Sequence, residues 1–448
     1  MKKLFFILIT FRLSLFTLSA QSWDSLATGV SGVVFAMEPY KGELYVGGNM
    51  TKAGNKILSN WIMRWNGTSW DSVGKGFSGG LYQQVNALIN YKGNLMVAGS
   101  FATAENQTAM GIAQWDGVKW DTVGWSEQFY PNEEIFALAV YDSDLIAAGS
   151  MSFTKQRTVQ NIAQWNGHSW DSLGTSINGN VYALTTYNGN LIAAGYFSDA
   201  GGIHTNNIAQ WNGTQWDSLG AGIHGLIEAL TVYNGNLIAG GEFDSAGSQP
   251  ALGLAMWNGT TWAPMGGDSL NDVYSLFVFQ GKLIVGGQMS RVGSIPIRNV
   301  AQWNGSMWDS IGSGPNFYGA GWVNVFCSDN NELYTGGWFN ESGNNKVTNI
   351  ARWGGPLGVN EIIDNKSNFT LFPNPSTGKF NVQLSTEKQS GEREIEVYNM
   401  IGEKVYTTEI NSSSAQIDIG NKATGVYLYR VLTETGNLIS TGKFVIQK

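Results

Sequence analysis

The chain is 448 residues long and only 13% of them are charged, so a globular core of ordinary size has to be dressed mainly in Asn, Ser, Thr and Gly. Its net charge of −8 is concentrated at 21 to 355, where 14 Lys and Arg face 24 Asp and Glu, and this argues against nucleic acid and other phosphate-rich ligands. One cysteine, Cys327, excludes an intrachain disulfide and a thiolate metal cluster, and the three histidines, His168, His204 and His224, have no metal-ligand spacing.

Residues 1–20 read as a secretory signal peptide: Lys2 and Lys3, an apolar run from Leu4 to Leu18 broken by Arg12, then Ser19-Ala20 as the expected cleavage site. The run is too short and too interrupted for a membrane anchor, so no membrane-spanning segment is expected in the mature chain.

A repeat then takes over, typified by Trp211-Asn212-Gly213-Thr214-Gln215-Trp216-Asp217-Ser218-Leu219-Gly220. Its first Trp falls at 65, 115, 165, 211, 257, 303 and 353, and its second at 23, 70, 120, 170, 216, 262 and 308. A period of this size is that of a propeller blade. Trp23-Asp24-Ser25-Leu26 lacks a first half, whereas Asn349-Ile350-Ala351-Arg352-Trp353-Gly354 lacks a second. The two fragments complement each other, which predicts a seven-bladed β-propeller over 21–356 whose N-terminal strand closes the ring and leaves no open edge.

Each blade reads as four strands; in the fifth repeat they are expected at 227–233, 236–241, 254–257 and 262–265, with Asn-Gly supplying the positive φ of the tight turns. The fourteen repeated Trp keep one register, which marks them as packing residues. Burying one removes roughly 150 to 250 Å² from water at about 25 cal/mol per Å². The Asp-Ser-Leu of the motif resembles the short O-glycosylation signal of Bacteroidota, although its fixed place in the blade gives it a structural explanation.

Strand, Gly-Gly, spaced Trp, turn and Trp together resemble the kelch-type β-propellers, above all secreted ones with Asn-Ile-Ala-x-Trp-Asn-Gly-x-x-Trp repeats. That likeness implies the fold and little about activity. The copper-oxidase branch of kelch-like folds uses Tyr, His and Cys ligands that these three scattered histidines do not match, so no cofactor and no metal are expected.

Residues 357–368 lose the period and read as a linker. A second, small Ig-like β-sandwich is expected at 369–448, marked by Phe369-Thr370-Leu371-Phe372-Pro373-Asn374-Pro375, Ile395-Glu396-Val397-Tyr398-Asn399 and Gly425-Val426-Tyr427-Leu428-Tyr429, with Gly442-Lys443-Phe444-Val445-Ile446 at its end. These blocks closely resemble the type A C-terminal sorting domain of the type IX secretion system of Bacteroidota. The resemblance implies recognition by the type IX machinery, passage across the outer membrane and removal of the domain, leaving a secreted or surface-held product. The alternative is an unrelated sandwich packed on the propeller.

For a ligand, two sets of residues stand out. Junctions of ten residues at 75–84, 125–134 and 313–322 carry Tyr82; Trp125, Phe129 and Tyr130; and Phe317, Tyr318 and Trp322, aromatics outside the repeat register. The second position of each inner strand varies while its neighbours do not: Phe35, Asn86, Phe136, Tyr182, Glu228, Tyr274 and Asn324. As a ring at the channel mouth these suit a neutral polar ligand such as a glycan, by stacking and amide hydrogen bonds; as a bare plug they would serve packing alone.

Catalysis has less support. Glu127, Glu133 and Glu134 read as a solvated acidic loop, Glu228 has no acidic partner in the ring, and no catalytic triad, nucleophile elbow or phosphate loop is present. The leading expectation is therefore a non-catalytic binding propeller for a glycan or surface protein. A propeller lyase or hydrolase using Glu228 with Tyr182 or Tyr274, and a structural surface-layer component, remain the alternatives.

Overall fold

The computed structural model describes residues 22–124, 134–153, 159–265, 272–316, 321–342, 345–354, 369–372, 374–384, 393–399, 403–410, 414–433 and 438–447. Both the segment read as a signal and the segment read as a linker lie outside them. The chain divides into two compact units, Met1–Pro356 and Leu357–Lys448. Every regular element among the described residues is a β-strand.

In the first unit the described residues form seven antiparallel meanders of four strands, here sheets 1 to 7 in chain order, and sheet 5 adds a short strand, Gln249–Pro250, paired with its second. Their first strands are Val34–Tyr40, Gln84–Tyr91, Glu134–Tyr141, Asn180–Tyr187, Ile223–Tyr233, Val273–Phe279 and Trp322–Asp329. Each packs beside the first strand of the next sheet, and Val34–Tyr40 also packs beside Trp322–Asp329. Sheet 7 takes its fourth strand, Trp23–Ser25, from the beginning of the chain, with Trp23 opposite Trp353 and Ser25 opposite Ala351. Asn345 Nδ2 donates to Trp23 O at 3.1 Å and Asn349 Nδ2 to Val30 O at 3.0 Å, so side chains as well as the ladder hold this strand.

The motif explains the meander. Between the two Trp, Asn212 Oδ1 accepts from the backbone N–H of Thr214 and Gln215 at 2.9 and 3.0 Å, while Gly213 takes a φ of 96° that a side chain would resist. The turn sets Trp211 opposite Trp216, with ring centroids 5.5 Å apart. In six sheets the second Trp then donates its indole N–H to a carbonyl of the preceding sheet: Trp23 to Ile311, Trp70 to Leu26, Trp120 to Val73, Trp170 to Val123, Trp216 to Leu173 and Trp262 to Leu219, at 2.9 to 3.2 Å. The acceptors occupy the Leu position of Asp-Ser-Leu or its Val or Ile equivalent. Trp and Leu therefore stitch neighbouring outer strands together, and these six indoles are buried.

The Asn of Asn-Ile-Ala-x-Trp works in a comparable way. Asn207, at φ 67°, accepts from Phe197 N with Oδ1 and donates to Ile223 O with Nδ2, both at 2.9 Å; Asn161, Asn299 and Asn349 repeat the pattern. One amide thus satisfies a loop donor of its own sheet and a carbonyl leading into the next.

Two details depart from the expected blade. In sheet 5 the first two strands run longer, Ile223–Tyr233 and Asn236–Ala246. Moreover, the link between second and third strands is not plain coil: in sheet 4 it folds into a hairpin, Asp199–Ala200 with Ile203–His204, and sheets 1, 2, 6 and 7 carry equivalents.

The second unit contains a three-stranded sheet, Phe369–Phe372, Lys379–Leu384 and Ser414–Asp418, and a four-stranded one, Lys404–Ile410, Arg393–Asn399, Gly425–Thr433 and Leu438–Ile446. One apolar cluster draws Phe380, Val382 and Ile417 from the first and Ile395, Val397, Val431, Phe444 and Ile446 from the second. Buried Glu396 binds Arg430, Lys404 at 2.9 Å and the Tyr398 hydroxyl at 2.8 Å, and these partners, Arg430 foremost, hold its carboxyl down at about 2.

Candidate functional site

One local feature assembles the site. In every sheet the pairing of the first two strands slips by one residue near the start of the first, a β-bulge. The residue left unpaired is Phe35, Asn86, Phe136, Tyr182, Glu228, Tyr274 and Asn324 in sheets 1 to 7, the same seven residues singled out by their variability. A bulge bends its strand and re-aims the extra side chain. All seven are half-buried.

The cause lies across the ladder. Gly48, Gly99, Gly149, Gly195, Gly241, Gly287 and Gly337 end the regular pairing of the second strands, and a Cβ on any of them would sit 1.9 to 2.2 Å from a first-strand carbonyl oxygen, that of Val33, Gln84, Glu134, Asn180, Leu226, Asp272 or Trp322. Only glycine lets the two backbones approach this closely. Glycine is thus fixed so that the residue two places beyond that carbonyl can vary.

What the bulges carry differs by sheet. Phe136 and Tyr182 lie against each other with ring centroids 4.7 Å apart, and Asn180 Nδ2 donates to the Tyr182 hydroxyl at 3.0 Å. Asn86 and Asn324 face differently from the expected ligand-binding amides: Asn86 Nδ2 donates to Ile135 O at 3.0 Å and Asn324 Nδ2 to Val34 O at 3.0 Å. Their donors close the joint with the next sheet and are engaged in structure.

Glu134, expected in a solvated acidic loop, is instead 6% exposed, and its Oε1 accepts from Gln84 Nε2 at 2.7 Å and Asn86 Nδ2 at 2.9 Å. The strand start at Glu134 draws it inward, where two amide donors compensate its burial. Glu127 and Glu133 lie outside the described residues.

Glu228 is the one acid among the seven bulge residues, and its acidic neighbours lie outside that ring. Burial, then the charges of Glu242 and Asp272, raise its carboxyl to about 8, so it holds its proton at neutral pH. Burial and the same three acids push the Tyr274 hydroxyl up, and burial raises Asp272. Glu228 Oε2 is buried with no hydrogen-bond partner among the described residues.

Of the long-junction aromatics, Tyr82 is 59% exposed. Trp322 proves to be a strand residue, paired with Trp338 and packed against it with ring centroids 4.6 Å apart and the planes tilted by 39°. Trp125, Phe129, Tyr130, Phe317 and Tyr318 lie outside the described residues.

Sequence reasoning missed the tier beside the bulges, where Gln84 pairs with Ser100, Glu134 with Ser150, Asn180 with Tyr196, Leu226 with Glu242 and Trp322 with Trp338. The available signal was the residue after each second-strand glycine, which changes from sheet to sheet just as the bulge residue does. Neither tier contains Lys, Arg or His. Among the described residues no group of three or more His, Cys, Asp or Glu is placed to hold a metal ion, and no helix is long and apolar enough to cross a membrane.

Comparison with known proteins divides between the units. Over the whole chain, PorZ, a surface component of the type IX secretion system of Porphyromonas gingivalis, is 12% identical with a TM-score of 0.47; the alignment covers 93% of this chain and 60% of PorZ. The extracellular domain of BT4673 from B. thetaiotaomicron is 10% identical with a TM-score of 0.48, covering 96% and 59%. A fungal alcohol oxidase in complex with copper is 12% identical with a TM-score of 0.39, covering 96% and 100%. The chain thus spans about three fifths of the first two, and likenesses this distant transfer no function. No curated protein of similar sequence is found. At the C-terminus the result is direct: residues 370–447 match the family described as the secretion system C-terminal sorting domain. The chain therefore carries a type IX sorting domain that sends it to the cell surface or into the medium, and it works with the type IX machinery on the way.

Proposed function

We propose that the first unit is a seven-bladed, kelch-like β-propeller closed by its N-terminal strand, and that it is a non-catalytic binding module for a glycan or surface protein. In this reading residues 1–20 are a removed signal peptide, 21–356 the propeller, 357–368 a linker and 369–448 the sorting domain. The observation that carries the binding role is the set of bulges. Seven sheets share one backbone device, and the side chain it re-aims varies between near-constant neighbours. Phe35, Phe136, Tyr182 and Tyr274 offer ring faces, as expected of a mouth that stacks sugars.

The test is a glycan and surface-protein array probed with the whole chain and with Phe136→Ala combined with Tyr274→Ala. Binding by the parent, weakened in the variant, supports the reading; no binding, or binding indifferent to the change, contradicts it. One observation favours a second reading, a hydrolase: a carboxyl that stays protonated at neutral pH beside other carboxyls suits a general acid. Release of reducing sugar from polysaccharides, abolished in Glu228→Gln, would select it over binding.

A further inference from the structure

We propose that the first unit opens preferentially at the joint between sheets 5 and 6, and not where its N-terminal strand meets sheet 7.

Two side-chain ties cross the joints: the indole of the second Trp and the amide of the Asn that precedes the third strand. At the joint of sheets 7 and 1 both are made, Trp70 Nε1 donating to Leu26 O and Asn349 Nδ2 to Val30 O, each at 3.0 Å. The joints of sheets 3 and 4, 4 and 5, and 6 and 7 likewise carry both. Sheets 1 and 2 are tied by Trp120 and by Asn60 Nδ2, which donates to Phe77 O at 3.3 Å. Between sheets 2 and 3 the indole of Trp170 remains, although Gly111 takes the place of the Asn.

Among the described residues, the joint of sheets 5 and 6 has neither tie. Gly253 stands in the place of the Asn at a φ of 68°, and its N–H donates to Phe243 O at 3.0 Å just as that of Asn207 donates to Phe197 O at 2.8 Å, so the backbone is kept and the amide is missing. On the other side, Trp308 Nε1 is closed off from water and has no hydrogen-bond partner. Its ring is half-buried, whereas the other six second-Trp rings are buried. The sequence of sheet 5 supplies the reason. Elsewhere the Asp after the second Trp accepts from the next backbone N–H, as Asp217 Oδ1 does from Ser218 N at 2.8 Å, and the same bond recurs at Thr122, Ser172 and Ser310. Sheet 5 reads Trp262-Ala263-Pro264-Met265, which removes that carboxyl and that N–H together, directly before the carbonyl of Met265 that Trp308 would need. Local openings draw on the least tied parts of a fold, and a buried donor without a partner adds to the imbalance.

The repeat provides matched probes. Ala209 and Ala301 hold the same place in the third strands of sheets 4 and 6, both wholly buried; Ala209 lies in the apolar cluster shared with sheet 3 and Ala301 in that shared with sheet 5. Met63 holds that place in sheet 1, in the cluster shared with sheet 7. In the full-length chain carrying Cys327→Ala, one cysteine is introduced at a time, and its reaction with a small disulfide reagent is followed in native buffer and scaled to the rate in the urea-unfolded chain. Ala301→Cys is expected to label about tenfold faster or more than Ala209→Cys and Met63→Cys. Gly253→Asn, which returns an amide at a φ that Asn tolerates, should slow Ala301→Cys and leave Ala209→Cys unchanged. Equal rates at the three sites, or the fastest rate at Met63→Cys, would overturn the proposal. So would a fast Ala301→Cys that Gly253→Asn fails to slow, since the opening would then come from the introduced cysteine and not from the missing ties.

Discussion

Two seams run through the first unit, and they are built on opposite terms. Along the outer strands, the same residues recur: Trp, then Asp-Ser-Leu or a close variant, with six of the seven indoles donating to the preceding sheet. At the first strands the backbone recurs and the residues do not, since every bulge faces a glycine but holds Phe, Asn, Tyr or Glu. Where side chains bond to the neighbouring sheet they are held constant; where a backbone device already fixes the geometry, the side chain is released for another purpose. The Asn bulges mark the border between these regimes, because Asn86 and Asn324 sit at variable positions yet donate to the next sheet.

The contrast can be broken by substitution. All 18 Trp lie in the first unit, so tryptophan fluorescence during urea unfolding reports on that unit alone. The largest loss is expected from Gly241→Ala, whose Cβ would lie 2.1 Å from Leu226 O; forcing the backbones apart should cost about 3 kcal/mol. Trp120→Phe removes the donor to Val73 O and part of a buried ring, and should cost about 2 kcal/mol. A smaller effect, about 1 kcal/mol, is expected for Asn86→Ala, which strips one donor from Glu134 and another from Ile135 O. By contrast, Tyr182→Ala should leave stability nearly intact and weaken ligand binding, whereas Asn86→Ala should do the reverse. Equal behaviour of the two would erase the border drawn between them.

The pH response sharpens the comparison between the units and is the smallest effect. Glu228 at about 8 and Glu38 at about 7 are raised from 4.5, Glu38 by burial against the opposing bonds of Asn90, so the folded chain keeps protons that the unfolded chain releases. The stability these groups contribute is complete below pH 4.5 and is lost as pH rises through 7 and then 8. Glu396 has the opposite sign: its contribution is present above pH 4.5 and disappears as pH falls through about 2. Urea unfolding followed by tryptophan fluorescence should show the first trend, flattened in Glu228→Gln, and hydrogen exchange across 393–433 should show the second.

Much of this architecture was legible because its cause is local. The Asn-Gly turn, the two Trp and the complementary fragments at 23–26 and 349–354 are readable as words, and the pairing of Trp23 with Trp353 follows from them. The variable positions were legible too, through their contrast with fixed neighbours. Their shared bulge was not, since a bulge exists only in the register of two strands, although the glycine opposite it left a trace. Least visible were effects that need three dimensions. Asp272 and Glu242 are distant from Glu228 in sequence and act on it in space, and Glu134 sits beside Glu133 in a run that looks solvated while its own side chain turns inward to Gln84 and Asn86.

The central claim, that the bulges and not the Trp seam carry recognition, is tested most directly by probing a glycan array with the parent chain and with a Phe136→Ala, Tyr182→Ala, Tyr274→Ala variant that keeps the parental urea midpoint. The account predicts that the parent binds and that the triple variant, still folded, loses the signal. Undiminished binding by the folded variant would contradict it.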